Sequence, residues 1–420
     1  VFSGFGADRA IAPEQTIQQA SPVARVALLG IDTPGLRPKL HCDQGDEVMD
    51  GQPLFHDRAH PEIMFVSPVS GIVESVTYGP RRSLSALVIK VRPETPASEP
   101  GSVDATTAAG LRAALLDRGL WPSFLTRPFG RIPAPGAIAD AIFVTATGDD
   151  HHAPDPHVVL SGRQDAFRSG LKALTLLTDG PVHVCQTPGK DLAAGIGDRI
   201  QSSRFSSGPA TGLAGHHVHR LFPVGHGRQV WTVGYQDVAA IGELLETGRY
   251  DGARVVSLSG QQVRRPRLLR TVGGANLADL IAGETLEEPA GSATVVLSGS
   301  VITGRPAAWL GRYHQQVTLI ESAPERRTAP ERGLKAWFRP RRRMPGPLIP
   351  TAALERAFIF DAPPVPLLRA LSVGDAETAR KLGCLEMVEE DLAPLSMACT
   401  SGADYGRMLR HVLDELAEDA

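Results

Sequence analysis

The stretch that decides the fold is His41-Cys-Asp-Gln-Gly-Asp-Glu-Val-Met-Asp-Gly-Gln-Pro-Leu-Phe55, together with Ile63-Met-Phe-Val-Ser-Pro-Val-Ser-Gly-Ile-Val-Glu-Ser-Val76. Gly45 and Gly51 punctuate the first half as turn residues. The second half alternates apolar and polar positions and is broken at Pro68 and Gly71. Such patterning predicts short β-strands joined by tight turns. With the apolar run at 26–29, it marks a strand-rich region over roughly 24–91.

The two halves share a pattern, GDxVxxGQxLF followed by PVSGxV, that resembles the biotinyl/lipoyl-type barrel-sandwich. In that fold a lysine on the hairpin between the halves carries the prosthetic group. Here the hairpin reads Phe55-His-Asp-Arg-Ala-His-Pro-Glu62, with Arg58 at the expected lysine and no lysine between Lys39 and Lys90. A guanidinium stays protonated and cannot serve as the acylated amine. The barrel is therefore expected to be a structural or docking module, without a swinging arm.

Working outward, residues 93–105 are rich in Pro, Glu, Ser and Thr and read as a linker. A short helix is predicted over 111–120, then a proline-dense irregular stretch over 121–135. A strand at 141–146, an amphipathic helix at 164–177 with Phe167, Leu171, Leu174 and Leu177 on one face, and a strand at 181–185 compose a βαβ unit. The loop after the first of these strands is Thr147-Gly-Asp-Asp-His-His-Ala-Pro-Asp-Pro156. It lacks GxGxxG, and Asp149, Asp150 and Asp155 repel phosphate, so no NAD or FAD site is expected there. Residues 213–224 read as strand-like, which places His217 and His219 on one face at a spacing zinc accepts. A structural zinc needs about four ligands, and exposed or hydrogen-bonded histidines (His216 included) are the expected state. A strand end and a helix follow over 231–247.

Strands at 255–260 and 267–272, a short helix at 276–281, and strands at 293–297 and 316–320 follow a β-grasp order. The composition then changes. Residues 325–350 hold Arg326, Arg327, Arg332, Lys335, Arg339, Arg341, Arg342 and Arg343, with Pro340, Pro345, Pro347 and Pro350 among them and Trp337 and Phe338 beside them. The basic run suits an acidic partner or anionic headgroups, and a solvated loop is the alternative reading. Arg339, Arg341, Arg342 and Arg343 are the interface candidates. Helices are predicted at 367–371, 375–382, 388–395 and 405–416.

Bulk properties set limits. A chain of 420 residues implies several domains. Its 42% hydrophobic and 21% charged residues are ordinary for a globular protein, and a formal charge of −3 demands no nucleic acid. The cysteines Cys42, Cys185, Cys384 and Cys399 form no CxxC pair, so reduced thiols are expected. No apolar run approaches the roughly 20 residues that span a bilayer, and Val1-Phe-Ser-Gly-Phe-Gly-Ala-Asp-Arg9 lacks signal-peptide features. A soluble, cytoplasmic protein that docks on a membrane complex is the expectation.

A series of motifs, in order over most of the chain, resembles the A subunit of the Na+-translocating NADH:quinone reductases. It includes Ala12-Pro-Glu-Gln15, Ala27-Leu-Leu-Gly30, the barrel motif, Thr126-Arg-Pro-Phe129, Ile142-Phe-Val-Thr-Ala146 and His217-Val-His219. Tyr235-Gln-Asp-Val238, Pro266-Arg-Leu-Leu-Arg-Thr271, Gly311-Arg-Tyr-His314, Leu382-Gly-Cys-Leu-Glu386 and Glu389-Glu-Asp-Leu392 continue it. The resemblance implies a peripheral subunit on the cytoplasmic face of the inner membrane, in a complex that oxidises NADH, reduces ubiquinone and exports Na+. It places NADH, the flavins and the 2Fe-2S cluster on partner subunits, and links this subunit to ubiquinone. Two related proteins, the Rnf complex C subunit with the flavin subunit of complex I, keep a Gly-rich FMN loop and a CxxCxxC run. This chain lacks both, so no catalytic, cofactor or metal residue is expected in it. The expected architecture is α/β and α+β multidomain: a barrel-sandwich over 1–95, a Rossmann-like domain without cofactor motif over 96–250, an SLBB-like β-grasp over 251–322, a basic linker over 323–365 and a helical region over 366–420. The chain departs from the family in its first residues and in the arginine-rich stretch. A divergent paralogue that acts only in docking or assembly is the alternative reading.

Overall fold

The computed structural model describes residues 11–92, 101, 103–224, 227–287, 293–322 and 346–418. Strand β1 (Glu14–Gln19) precedes the barrel, whose seven strands are β2 (Arg25–Leu29), β3 (Pro38–Leu40), β4 (Glu47–Val48), β5 (Pro53–Asp57), β6 (Met64–Val66), β7 (Gly71–Tyr78) and β8 (Leu84–Val91). They form two facing sheets, ordered β2-β8-β7-β4 and β3-β5-β6. Gly45 and Gly51 have φ of 99° and 72°, a left-handed conformation that glycine adopts without a Cβ clash. Alternation sends Leu54, Phe65, Val73, Leu87 and Ile89 inward, and Phe55 stacks on Phe65 with centroids 4.6 Å apart.

The second region contains α1 (Ala108–Asp117), β9 (Leu125–Arg127), β10 (Ala141–Ala146), α2 (Pro156–Val159), α3 (Gln164–Leu174) and β11 (Val182–Gln186). It continues with β12 (Ile200–Arg204), α4 (Ala214–Leu221), β13 (Val230–Gly234) and α5 (Tyr235–Thr247). Its sheet runs β12-β11-β10-β13-β9. The β10-α3-β11 unit is parallel as predicted, and only β9 is antiparallel. Helices α3 and α5 meet backbone to backbone. A Cβ on Gly170 would stand 2.0 Å from the Val238 carbonyl oxygen, and one on Gly242 1.8 Å from that of Ala166.

Two local expectations change. Residues 213–224 are not a strand: α4 forms there because Ala214, Val218 and Leu221 recur at helical spacing, and Val218 and Leu221 join the apolar cluster of Phe143, Cys185 and Val230. The proline-dense stretch yields β9, which pairs Arg127 with Val230.

The third region holds β14 (Ala253–Ser259), β15 (Arg267–Val272), α6 (Leu277–Leu280), β16 (Thr294–Ser298), β17 (Arg305–Pro306) and β18 (Gln316–Glu321). Its sheet, β1-β15-β14-β18-β16-β17, takes in β1 as a parallel edge strand beside β15. The C-terminal region contains α7 (Ala352–Ala357), α8 (Pro364–Val373), α9 (Ala376–Lys381), α10 (Ala393–Ala398) and α11 (Tyr405–Glu418). The helix predicted over 388–395 divides into a 3-10 turn, Glu389–Leu392, and α10, whose Pro394 lies in the first turn and starts a new helix.

One continuous core joins the barrel to the α/β region. Leu54, Phe55 and Leu87 belong to the same apolar cluster as Leu111, Leu115, Trp121, Ile142 and Leu244. The third region has its own core around Val256, Leu258, Leu269 and Leu319. The C-terminal helices have another, built on Leu367, Leu371, Leu392, Leu409 and Leu413.

Candidate functional site

In a parallel α/β sheet the ligand crevice lies at the carboxyl ends of the strands. Here that position belongs to the loop after β10, and its polar groups are engaged within the chain. Thr147 Oγ1 donates to the Gly212 carbonyl at 2.8 Å, and Gly148 N to Ser207 Oγ at 3.3 Å. Asp149 Oδ2 accepts from Ser300 Oγ at 2.5 Å and Thr303 Oγ1 at 2.6 Å, both supplied by the third region. Burial, with Asp150 beside it, raises the Asp149 carboxyl above the usual carboxylate range. Asp150 accepts from His152 N at 2.7 Å and from Gln316 Nε2 at 3.2 Å. Asp155 caps α2 by accepting from His157 N at 2.9 Å. The acids that repel phosphate in the sequence reading hold the α/β sheet against its neighbour.

Beside this crevice a charged clasp binds the C-terminal helices. Arg127, 2% exposed, ends β9. Its guanidinium donates to Asp391 Oδ2 at 2.5 Å and to the Glu386 carbonyl at 3.0 Å, and it stands 3.6 Å from Glu390 Oε1. Asp391 Oδ2 also accepts from Val388 N at 2.8 Å. The Asp391 carboxylate packs on Gly215 so closely that a Cβ there would lie 2.2 Å from Oδ1. His219 Nδ1 donates to Glu386 Oε2 at 2.8 Å, and Val224 N donates to Oε1 at 3.0 Å. Arg410 engages both Glu389 oxygens and the Phe129 carbonyl, and Arg131 reaches Asp414 at 3.0 Å. Burial first, then the Asp391 charge, pushes the Glu390 carboxyl up to about 7. Its side chain nevertheless keeps 45% of its surface accessible.

The histidines separate on α4. His219 serves the clasp, whereas His217 is buried with Nε2 donating to the Thr211 carbonyl at 3.1 Å. Burial lowers His217 to about 3. Among the described residues no group of three His, Cys, Asp or Glu side chains is placed to hold a metal ion. The four cysteines are free thiols. Burial raises Cys42 to about 11 and Cys384 to about 12. For Cys399 burial acts the same way, but hydrogen bonds from Ser401 and Tyr405 outweigh it and lower the thiol.

Arg58 lies at the start of the β5–β6 hairpin, where its Nε donates to the Pro38 carbonyl at 3.2 Å. The interface candidates Arg339, Arg341, Arg342 and Arg343 lie outside the described residues. Where the barrel, α/β and third regions meet, Leu28, Phe55, Phe65, Tyr250 and Arg254 line a cavity of about 50 Å³, room for a few waters at most. Arg254 there donates to Asp237 at 2.5 Å, and Asp237 also accepts from Ser123 Oγ at 3.1 Å. No helix among the described residues is long and apolar enough to cross a membrane.

Sequence reasoning does not anticipate the clasp, although Thr126-Arg-Pro-Phe129, His217-Val-His219, Leu382-Gly-Cys-Leu-Glu386 and Glu389-Glu-Asp-Leu392 are all motifs of the sequence. The presence of one basic motif and two acidic ones is the available signal. Nothing in the linear chain pairs positions 264 apart.

Comparison with known proteins follows the same division. Residues 4–92 match the NqrA N-terminal barrel-sandwich hybrid domain, 106–250 the NqrA second alpha/beta domain, and 255–308 the NQRA C-terminal domain. The chain is 38% identical to the Na(+)-translocating NADH-quinone reductase A subunit of Neisseria meningitidis (strain FAM18) over 97% of this chain and 96% of that one. It is 36% identical to the protein of the same name from Yersinia pestis (strain Angola) over 97% of each. A solved NAD+-reducing [NiFe]-hydrogenase aligns with a TM-score of 0.37 at 12% identity, over 75% of this chain and 62% of that one. With three family domains in order and this identity over nearly its whole length, the chain belongs to the A-subunit family of the Na(+)-translocating NADH-quinone reductases.

Proposed function

We propose that this chain is a peripheral subunit, on the cytoplasmic face of the inner membrane, of a NADH:ubiquinone oxidoreductase coupled to Na+ export. Its role is to support quinone reduction by holding partner subunits in register, with NADH, the flavins and the 2Fe-2S cluster on those partners. The observation that carries this reading is identity spread over nearly the whole length of named A subunits. The crevice agrees with a scaffold role, because Asp149 and Asp150 spend their carboxylates on Ser300, Thr303 and Gln316.

Affinity purification of the tagged chain from its own membranes tests the proposal. The other pump subunits should come with it, and recovery alone overturns the reading. The arginine-rich departure from the family favours a second reading, a docking or assembly protein without quinone chemistry. Removing the chain from the purified complex separates the two. Loss of ubiquinone reduction with retained NADH oxidation by an artificial acceptor supports the first, and loss of the complex itself supports the second.

A further inference from the structure

We propose that the outer face of the barrel's three-stranded sheet binds one copper(I) ion through His41, His56 and Met64. The subunit reading above neither needs this site nor depends on it.

Strands β3, β5 and β6 lie side by side, and their register sets Leu40 opposite Phe55 and Phe55 opposite Phe65. Directly opposed residues point to the same side of a sheet. The stacked, buried rings of Phe55 and Phe65 mark that side as the inner one. One position along, Lys39 stands opposite His56, and His56 opposite Met64. This second row takes the outer side. Burial along the chain agrees: Lys39 and His41 are exposed, whereas Leu40 between them is half-buried and Cys42 is buried. His41 thus shares the outer face with His56 and Met64, and its Nε2 lies 2.8 Å from His56 Nδ1. The two rings have centroids 4.7 Å apart and planes inclined at 51°.

His157, His217 and His219 bond to oxygen atoms of the chain. His41 and His56 bond instead to each other. One nitrogen donates and the other accepts, so two ring nitrogens converge on a point that holds a single proton. Imidazole nitrogens bind a first-row metal ion at about 2.0–2.1 Å. An ion at that point therefore opens the pair from 2.8 Å to between about 3.3 and 4 Å, a movement the exposed His41 ring can make. The donor ring then carries its proton on its other nitrogen. Both imidazoles stay neutral, and no electron is exchanged.

The third donor selects the ion. Opposed residues on neighbouring strands have Cβ atoms about 4.5–5.5 Å apart, within reach of the unbranched, flexible Met64 side chain. A thioether sulfur is a soft ligand that favours copper(I) over harder ions. The surrounding charge agrees, because the set is neutral and Lys39 stands in the same row, which disfavours a divalent ion. Asp57 Oδ1 is turned to the backbone, where it accepts from Arg37 N at 3.3 Å and Ala59 N at 3.2 Å. With methionine as its third ligand, the site needs no trio of His, Cys, Asp or Glu. Cys42 takes no part, since its Sγ donates to the Leu54 carbonyl at 3.6 Å on the inner side.

Anaerobic titration of the purified full-length chain with copper(I), against the chromophoric chelator bicinchoninate and with ascorbate present, tests the proposal. One ion per chain is expected, and X-ray absorption should show two nitrogen neighbours and one sulfur. His41→Gln should weaken binding about 100-fold and Met64→Leu about tenfold, since even changes around a metal's ligands cost about 10–100-fold. His41 is exposed and Met64→Leu nearly conserves volume, so both variants should keep the wild-type circular dichroism spectrum. Cys42→Ser should bind as the wild type does. Absence of stoichiometric binding, wild-type affinity in His41→Gln or Met64→Leu, or loss of binding in Cys42→Ser overturns the proposal. Zinc binding as tight as that of copper(I) and indifferent to Met64→Leu overturns it too, because the thioether would then play no part.

Discussion

Two junctions in this molecule are built from opposite materials. The barrel joins the α/β region through a common apolar core, in which Phe55 and Leu87 belong to the cluster of Trp121 and Ile142. The C-terminal helices keep a separate core and are held to the α/β region largely by Arg127, Arg131, Arg410 and His219 on carboxylates and carbonyls. Apolar burial is non-directional and nearly independent of pH and salt, so the first junction behaves as one folding unit. Buried ion pairs repay their desolvation only while every partner is in place. The second junction therefore specifies one docking geometry and remains separable.

The largest expected effect comes from the apolar junction. Trp121 is fully buried, packs edge-on against Trp231 with centroids 5.4 Å apart, and donates to the Pro133 carbonyl at 2.8 Å. Trp121→Ala should cost about 3–5 kcal/mol. Calorimetry should show the barrel and α/β regions melting together at a lower temperature, and two separate transitions would break the comparison. Next comes the clasp. Arg127→Ala leaves the buried Asp391 carboxylate without its cation, a loss of about 3 kcal/mol. Limited proteolysis should then release the C-terminal helices while the α/β core stays protected. A milder test returns to the first junction: Gly119 has φ of 72°, and a Cβ there would lie 2.5 Å from a Val66 methyl group. Gly119→Ala should cost about 1–3 kcal/mol, read as a shift in denaturant midpoint.

The smallest effect is a pH dependence confined to the clasp. Glu390 sits at about 7 when docked, above the ordinary carboxylate range, because of burial and of Asp391. The docked state thus binds the proton more tightly than the undocked one. Docking is favoured below the ordinary glutamate pKa and weakens as pH rises from there through about 7. Exposure of the side chain and the nearby Arg127 limit the size of the change. Glu390→Gln should flatten the pH profile of proteolytic release, and an unchanged profile would remove Glu390 from the account.

Periodicity makes most elements legible. The β10-α3-β11 unit and the β14–β15 hairpin follow from local alternation and apolar spacing, which neighbouring residues decide. Residues 213–224 read as a strand because three histidines at alternate or adjacent positions mimic a period of two, while buried Ala214 and Val218 and half-buried Leu221 follow 3.6. Strand β9 is illegible, since a three-residue strand among prolines exists only by pairing with β13. The candidate site is less legible than the fold. Asp149 and Asp150 stand out as acids in a cofactor loop, but their partners Ser300, Thr303 and Gln316 come from another region of the chain.

By itself the sequence determined the family motifs, the barrel, the βαβ core and Arg58 in place of a lysine, because each depends on residue identity or on spacing within a few turns. Only the tertiary structure decided that β1 leaves the barrel to edge the third region's sheet, and that Arg127 meets Asp391. Those pairings are long-range: their free energy depends on which buried group lacks a partner once the chain has folded, and linear spacing does not encode that.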